Sequence, residues 1–141
     1  MGNMVLDRTS EFGSRADNLL RCNTIIWFTT VTPGGVPQPN PVWYYWNGQD
    51  IIIYSKPESR RIKNITHNPH VSLHLEGAGV MGDNVIVIIG LAEIKNEYKK
   101  INEGYRKKYS SYLQGIGTTW KDLKRSYSVE IKVVPTKIRG I

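Results

Sequence analysis

The chain has 141 residues, 40% hydrophobic and 22% charged, and its 19 Lys and Arg exceed its 12 Asp and Glu to give a net charge of +7. This balance predicts one compact domain over residues 1–141, in which residues 1–9 could lack fixed structure. No apolar run approaches the roughly 20 residues that span a bilayer. The basic excess favours an anionic partner without choosing among nucleic acid, an acidic membrane surface and a phosphorylated small molecule.

The first half of the chain predicts one helix and three strands. Residues 10–21 have the spacing of an amphipathic helix, and residues 24–31 are rich in the β-branched and aromatic residues that favour a strand. Three alternating prolines open the next strand, which reaches Trp46, and confine its start to a sheet edge. Asn47-Gly48 then predicts a tight turn into a return strand at 50–54.

The second half predicts three helices and four strands. In chain order these are a basic helix from Pro57 to Thr66, strands at 71–75 and 84–94, helices at 97–113 and 119–125, and strands at 127–134 and 137–141. The apolar run inside the strand at 84–94 suggests burial on both of its faces. Six or seven mostly antiparallel strands with three or four peripheral helices predict a mainly β fold, a β-barrel with α additions.

The stretch from Ile51 to Lys63 is the most informative part of the chain. A buried strand ending in Tyr54 passes into a basic helix, and the polar residues along this passage are Ser55, Ser59, Arg60, Arg61 and Lys63. A helix N-terminus presents unpaired N–H groups and about half a positive charge, so added cations favour a phosphate there. The alternative is a basic helix face exposed to solvent, and these residues alone leave both open.

The run Val42-Trp-Tyr-Tyr-Trp46 is dense in aromatic residues on both faces of its strand. By alternation Trp43 and Tyr45 point to one side, and Tyr44 and Trp46 point to the other. One pair can pack in the core, whereas the other pair needs a partner. That partner could be a planar ligand, a second subunit or another strand.

Two further groups of residues invite a functional interpretation that their spacing does not favour. The histidines at positions 67, 70 and 74 lack a carboxylate or cysteine that would complete a metal site, so we predict no metal. Tyr105 and Tyr109 enclose three basic residues, a pattern found in proteins that bind single-stranded nucleic acid. At this spacing, however, the two tyrosines form one apolar ridge on a helix, which we favour.

Features that the sequence lacks predict where the protein is located and what kind of reaction it could carry out. The N-terminus has no apolar core of a signal peptide, and the single cysteine, Cys22, is predicted to be a small buried residue of a cytoplasmic protein. No Ser/His/Asp, Cys/His or paired-carboxylate arrangement is visible, nor is a glycine-rich phosphate loop. Any reaction is therefore predicted to depend on a bound cofactor.

Together these segments resemble the pyridoxamine 5′-phosphate oxidase-like split β-barrel superfamily, and in particular its small flavin- and deazaflavin-dependent oxidoreductases. The resemblance covers roughly residues 10–141. It rests on these residues: Trp27-Phe-Thr-Thr-Val31, Pro33, Gly35, Pro37-Gln-Pro39, Pro41-Val-Trp43, Trp46-Asn-Gly48, Ile53-Tyr-Ser-Lys-Pro57, Lys63-Asn-Ile65, Asn68-Pro-His-Val-Ser-Leu-His-Leu75, Gly82-Asp83, Gly90-Leu-Ala-Glu-Ile94, Tyr127-Ser-Val129 and Pro135-Thr-Lys-Ile-Arg-Gly140.

The resemblance implies a homodimer with two equivalent sites at the subunit interface, each holding FMN or, as the alternative, the deazaflavin coenzyme F-420. The residues it implies for the cofactor are Asn40, Pro41, Val42 and Trp43 along the ring, Tyr54, Ser55, Ser59, Arg60, Arg61 and Lys63 around the phosphate, and Val85 and Ile86 from the long strand. The catalytic residues stay unassigned, because backbone, water or a tyrosine such as Tyr45 could each donate a proton.

The chain also departs from oxidases that act on pyridoxamine 5′-phosphate. Those enzymes carry arginine where Asn40 stands and lysine where Tyr45 stands, and they have a C-terminal Arg-Leu-x-Pro that this sequence lacks. We therefore expect another oxidoreductase, one that passes hydride between the cofactor ring and an unsaturated or quinone-like small molecule, with no nucleic-acid or membrane partner. The alternative is a non-catalytic protein that binds FMN, haem or another phosphorylated ligand.

Overall fold

The computed structural model describes residues 5–78, 80 and 84–140, and they form a mainly β protein, as the sequence predicts. Within these ranges there are seven strands and four helices. In chain order they are α1 (Glu11–Cys22), β1 (Ile26–Val31), β2 (Pro37–Val42), β3 (Tyr45–Trp46), β4 (Ile51–Ser55), α2 (Arg60–His67), β5 (His70–His74), β6 (Ile86–Lys95), α3 (Glu103–Ile116), α4 (Trp120–Ser126) and β7 (Val129–Gly140). Gly82-Asp83 and Ile141, which the sequence analysis also used, lie outside the described residues.

The strands form one antiparallel sheet in the order β2-β1-β5-β6-β7-β4-β3. β2 and β3 lie at opposite edges of this sheet, yet only Trp43 and Tyr44 separate them in the chain. The sheet must therefore curl until its two edges come close, which produces a half-barrel split between β2 and β3. The three prolines of β2 stand on an edge strand, as predicted, where a missing N–H is tolerated.

The main hydrophobic core fills the inside of the curled sheet, and strand alternation decides which residues enter it. In β6, Ile86 and Ile88 are fully buried, whereas Ile89 is 37% and Leu91 36% exposed. The prediction that this strand is buried on both faces is therefore wrong. β6 keeps one apolar face in the core and leaves apolar side chains on the outside.

Helices α1 and α2 cover the core with the faces that their spacing predicts. Ala16 and Leu20 of α1 and Ile65 of α2 are buried in the core. In the segment that the sequence suggested could lack structure, Leu6 is also buried there, whereas residues 5 and 7–9 are exposed. No helix in the described ranges has the length and apolar character needed to cross a membrane.

A second hydrophobic cluster lies on the opposite side of β4, beneath α3. Tyr105, Tyr109 and Leu113 recur every four residues along α3 and are buried as one ridge, which confirms the predicted helix face. The ring of Trp43 stacks on that of Tyr109, with centroids 4.3 Å apart and planes 4° apart. The partner of this outward aromatic face is thus a helix of the same chain, which the sequence did not predict.

Helix α3 also provides hydrogen-bond partners for the backbone of Tyr44, which has none in the sheet because the sheet is split there. Tyr44 lies between two edge strands and has no ladder partner for its backbone. Its N–H donates to the hydroxyl of Tyr109 at 2.9 Å, and its carbonyl accepts from Lys108 Nζ at 3.0 Å. The Tyr109 hydroxyl lies within donating distance of the carbonyls of Thr24, at 2.8 Å, and Tyr44, at 2.9 Å. Because unpaired buried backbone groups are costly, this contact stabilises the break between β2 and β3.

Helices α2 and α3 both begin later in the chain than predicted. α2 starts at Arg60 rather than Pro57, because the preceding residues form a turn in which the N–H of Ser59 donates to the carbonyl of Lys56. α3 starts at Glu103 rather than Glu97, since Asn102 caps it by accepting from the N–H of Tyr105. The segment before Asn102 is held instead by tertiary packing of Tyr98 and Ile101 in the second cluster.

Three other predictions need correction. The strand predicted to reach Trp46 is two strands, β2 and β3, because the chain crosses the split at Trp43 and Tyr44. The two last predicted strands are one, β7, in which Thr136 is an extra residue that forms a bulge opposite Ile89 and Gly90. Cys22 is exposed at the end of α1, not buried.

Two glycines of α3 provide a matched test of its packing. A Cβ built on Gly104 would overlap the ring of Tyr45, whereas one built on Gly115 meets nothing within 4 Å. We expect Gly104→Ala to destabilise the protein by about 1–3 kcal/mol through overpacking, and Gly115→Ala to stabilise it by about 0.5–1 kcal/mol through helix propensity. Urea denaturation measures both, and a change of the same sign in the two variants would contradict this account of the α3 contact.

Candidate functional site

A cavity of about 500 Å³ lies where β2, β4 and the start of α2 face the pair formed by α3 and α4. Its lining residues come from three parts of the chain. They are Pro41, Val42 and Trp43; Tyr54, Ser55, Lys56, Ser59 and Arg61; and Tyr105, Ile116, Thr118, Asp122, Leu123, Ser126 and Tyr127. A space of this size is in the range of small-molecule binding sites, which run from about 300 to 1,000 Å³.

Two cations, Lys56 and Arg61, belong to the cavity lining, and we call the part that they form the cationic end. The four ion pairs among the described residues do not include Arg61 or Lys56, so no described carboxylate neutralises either cation. Desolvation lowers the pKa of the Arg61 guanidinium from its ordinary value, an effect partly offset by nearby Tyr127. A guanidinium nevertheless stays charged at neutral pH, and placing it half-buried without a counter-ion is unfavourable. Such an arrangement suits a site that receives an anion.

Hydroxyl groups border the same end. Ser55 is fully buried at the end of β4, and its hydroxyl donates to the carbonyl of Lys56 at 3.1 Å, which fixes the turn before α2. Ser59 is the N-cap residue of α2, and its side chain makes no capping hydrogen bond. Its hydroxyl and the N–H groups at the start of α2 therefore supply donors beside Arg61.

The other walls of the cavity are aromatic and apolar. Tyr54 donates its hydroxyl to Glu130 Oε2 at 2.9 Å and accepts from the N–H of Asn102 at 2.8 Å. Tyr105 packs edge-on against Tyr54, with centroids 4.8 Å apart and planes 88° apart. Burial raises the pKa of both phenols, so they stay protonated and neutral. Together with Val42 and Trp43 they form a surface suited to a planar ring.

The structure brings together seven of the twelve residues named for the cofactor and leaves five outside this cavity. Those in its lining are Pro41, Val42, Trp43, Tyr54, Ser55, Ser59 and Arg61. Those outside are Asn40, Arg60 and Lys63, which are exposed, Val85, which is half-buried, and Ile86, which is sealed in the main core. Tyr45, one suggested proton donor, lines a separate depression with Asn102 and Gly104.

The third part of the lining, which runs from Tyr105 to Tyr127, could mostly not be predicted from the sequence. Residues 116–127 lie more than 50 positions after Arg61 in the chain, and only packing of α3 against the outer face of β3 and β4 brings them to it. Tyr127 was part of the resemblance but received no role. The one available signal was the ridge of Tyr105 and Tyr109, which places α3 on the sheet without showing what α4 then faces.

Among the described residues, no three His, Cys, Asp or Glu side chains come together as a metal site. His67 and His70 are exposed, and His74 stacks on Trp27 with ring centroids 6.3 Å apart. The indole N–H of Trp27 donates to Glu76 Oε1 at 3.0 Å.

Comparison with known families identifies the fold. A family model described as pyridoxamine 5′-phosphate oxidase matches residues 13–139. The chain belongs to this family. No curated protein sequence matches the chain. Membership of the pyridoxamine 5′-phosphate oxidase family confirms the resemblance found in the sequence and its split β-barrel fold.

Solved structures with the same fold carry different functions. An F-420 reductase superposes with a TM-score of 0.67 at 22% identity, covering 87% of this chain and 94% of that one. A conserved hypothetical protein from Mycobacterium tuberculosis gives 0.69 at 20% identity, covering 99% and 87%. HutZ, a haem storage protein from Vibrio cholerae, gives 0.61 at 12% identity, covering 89% and 92%. At these identities the likeness is one of fold alone, and the function of this family member depends on its own site.

Proposed function

We propose that the protein is an oxidoreductase that binds FMN, or alternatively the deazaflavin coenzyme F-420, and passes hydride between its ring and an unsaturated or quinone-like small molecule. The observation that carries the proposal is the half-buried Arg61, with no described carboxylate as its partner, at one end of a cavity whose other walls are aromatic. A phosphate joined to a planar ring matches both ends of that cavity at once.

The residues of the cavity fit such a cofactor. Arg61, with Ser59 and the N-terminus of α2, would hold the phosphate, while Ser55 keeps the turn in place. Val42 and Trp43 would lie along the ring, with Tyr54 and Tyr105 closing the space behind it. The bound cofactor supplies the hydride chemistry. The chain's own residues orient the ring and exclude water, and the neutral phenol of Tyr54 adds no charge to the aromatic wall.

A homodimer with the site at the subunit interface is part of the proposal. Ile89 and Leu91 of β6, together with Ile25 beside β1, leave apolar side chains on the outer face of the sheet, each 36–40% exposed. Although β5 separates β1 from β6 in the sheet, exposed aliphatic groups of this kind favour burial against a second copy.

The alternative is a non-catalytic carrier of the same ligand class. It is favoured by the absence of a paired acid and base in the described lining, where Asp122 is the one carboxylate and pairs with Arg125 at 3.7 Å. The haem storage function of HutZ is consistent with this alternative, although that protein shares the fold alone.

Titration with FMN and with coenzyme F-420 tests the proposal, using riboflavin as the control that lacks the phosphate. We expect quenching of cofactor fluorescence with micromolar or tighter affinity for at least one of the two, and weaker binding of riboflavin. Reduction of the bound flavin by NAD(P)H, or oxidation of the bound reduced deazaflavin by a quinone, then separates the enzyme from the carrier. A protein that binds neither cofactor would not have the proposed function.

A further inference from the structure

Lys56 and Tyr127, which were part of the resemblance but received no role in the sequence, line the same cavity as Arg61. The Nζ of Lys56 lies 5.6 Å from the centre of the Tyr127 ring. Arg61 and Tyr127 face the same cavity, since both belong to its lining. The three side chains come from the turn before α2, from α2 itself and from the junction of α4 and β7.

Tyr127 is held by its backbone while its hydroxyl stays available. Its N–H donates to the carbonyl of Leu123 at 2.7 Å, and its carbonyl accepts from the hydroxyl of Tyr98 at 2.8 Å. Within the described residues the Tyr127 hydroxyl makes no hydrogen bond, and neither Lys56 nor Arg61 forms an ion pair. The backbone of Tyr127 is thus preorganised, and its hydroxyl is available to donate to a ligand in the cavity that this residue lines.

We propose that Lys56 and Tyr127 are ligand-binding residues which, with Arg61, form a three-sided cradle for the phosphate monoester of the cofactor. The Tyr127 hydroxyl donates one hydrogen bond, the Lys56 ammonium contributes a point charge, and Arg61 donates from its guanidinium. A phosphate monoester presents three terminal oxygens, so three donors approaching from different elements can be satisfied together. This inference rests on the proposed function and adds two residues to the site.

The cradle has a consequence for selectivity within that site. Tyr127 follows α4 directly, and the α4 residue Leu123 both lines the cavity and accepts from the backbone of Tyr127. A residue of the cavity lining is thereby hydrogen-bonded to the residue proposed to contact the phosphate. Ligands with a terminal phosphate should therefore be preferred over the same ring without it, and that preference should depend on Lys56 and Tyr127.

The test compares FMN with riboflavin in the full-length protein and four variants. Tyr127→Phe removes only the hydroxyl, and Lys56→Gln removes the charge while keeping the length of the side chain. Tyr112→Phe and Lys99→Gln are the matched controls, since both side chains are exposed and neither lines the cavity. We expect Tyr127→Phe and Lys56→Gln each to weaken FMN binding about tenfold and riboflavin binding less than twofold, with both controls unchanged.

These titrations distinguish a failure of the proposed phosphate cradle from a failure of the proposed function. FMN affinity within twofold of wild type in both Tyr127→Phe and Lys56→Gln would overturn the cradle while leaving the proposed function intact, since the wild-type protein would still bind FMN. Equal losses for FMN and riboflavin would also overturn it, because the side chains would then act on the ring or the fold. Wild-type protein that binds neither FMN nor coenzyme F-420 would overturn both this inference and the proposed function.

Discussion

Arg61→Ala is expected to weaken FMN binding by more than tenfold, because a charge-assisted contact to phosphate contributes about 1.5–3 kcal/mol. Arg61 is half-buried, lines the cavity and has no described carboxylate partner. Titration of FMN fluorescence measures the loss. Riboflavin lacks the phosphate, so its affinity should change little in the same variant.

Two other substitutions make this result specific. Arg60→Ala changes the neighbouring cation, which is exposed and lies outside the cavity lining, so we expect a smaller loss. Lys99→Ala removes one exposed positive charge elsewhere and should leave FMN affinity unchanged. FMN affinity within threefold of wild type in Arg61→Ala would place the phosphate at another site.

Arg61→Ala should not reduce stability, which separates a binding defect from unfolding. Burying a cation without a counter-ion is unfavourable, so its removal is expected to leave the Tm unchanged or to raise it. Groups positioned for a ligand commonly carry such a cost in the free protein. A large fall in Tm would instead assign Arg61 a structural role.

Tyr109→Ala is expected to have the largest effect on stability, a loss of about 3–5 kcal/mol, which is the range for removing a buried aromatic side chain. The Tyr109 side chain is fully buried, its ring stacks on Trp43, and its hydroxyl bonds the backbone of Tyr44 at the split of the barrel. Since small domains have a total stability of about 5–15 kcal/mol, this variant would be close to unfolded. Urea denaturation followed by circular dichroism measures the change.

Tyr109→Phe separates the hydrogen bonds of Tyr109 from its packing. The ring stays, but the N–H of Tyr44 loses its acceptor in a buried position, so we expect a loss of about 1–3 kcal/mol. Tyr112→Phe, three residues along the same helix, is the control, because Tyr112 is 47% exposed and its hydroxyl makes no hydrogen bond within the described residues. Equal stability of the two phenylalanine variants would mean that α3 does not stabilise the split.

Much of the fold could be predicted from the sequence because local patterns encode it. The aromatic and β-branched run of β1, the Asn47-Gly48 turn and the prolines of β2 each have one favoured local structure, and the structure confirms them. Helix starts were less predictable. The turn before Arg60 and the packed segment before Asn102 both have helix-compatible sequences, and contacts distant in the chain override that preference.

The candidate site divides in the same way. By itself the sequence determined that a cationic, hydroxyl-rich segment connects β4 to α2. Ser55, Ser59 and Arg61 are close together in the chain, so a strand followed directly by a helix keeps them close in space. Only the tertiary structure decided that Arg61 rather than Arg60 borders the cavity, and that the outer aromatic face of Trp43 meets α3. Which side chain of an exposed helix turns inward, and which distant helix covers a sheet, depend on packing across the whole chain, and no local pattern of residues records that packing.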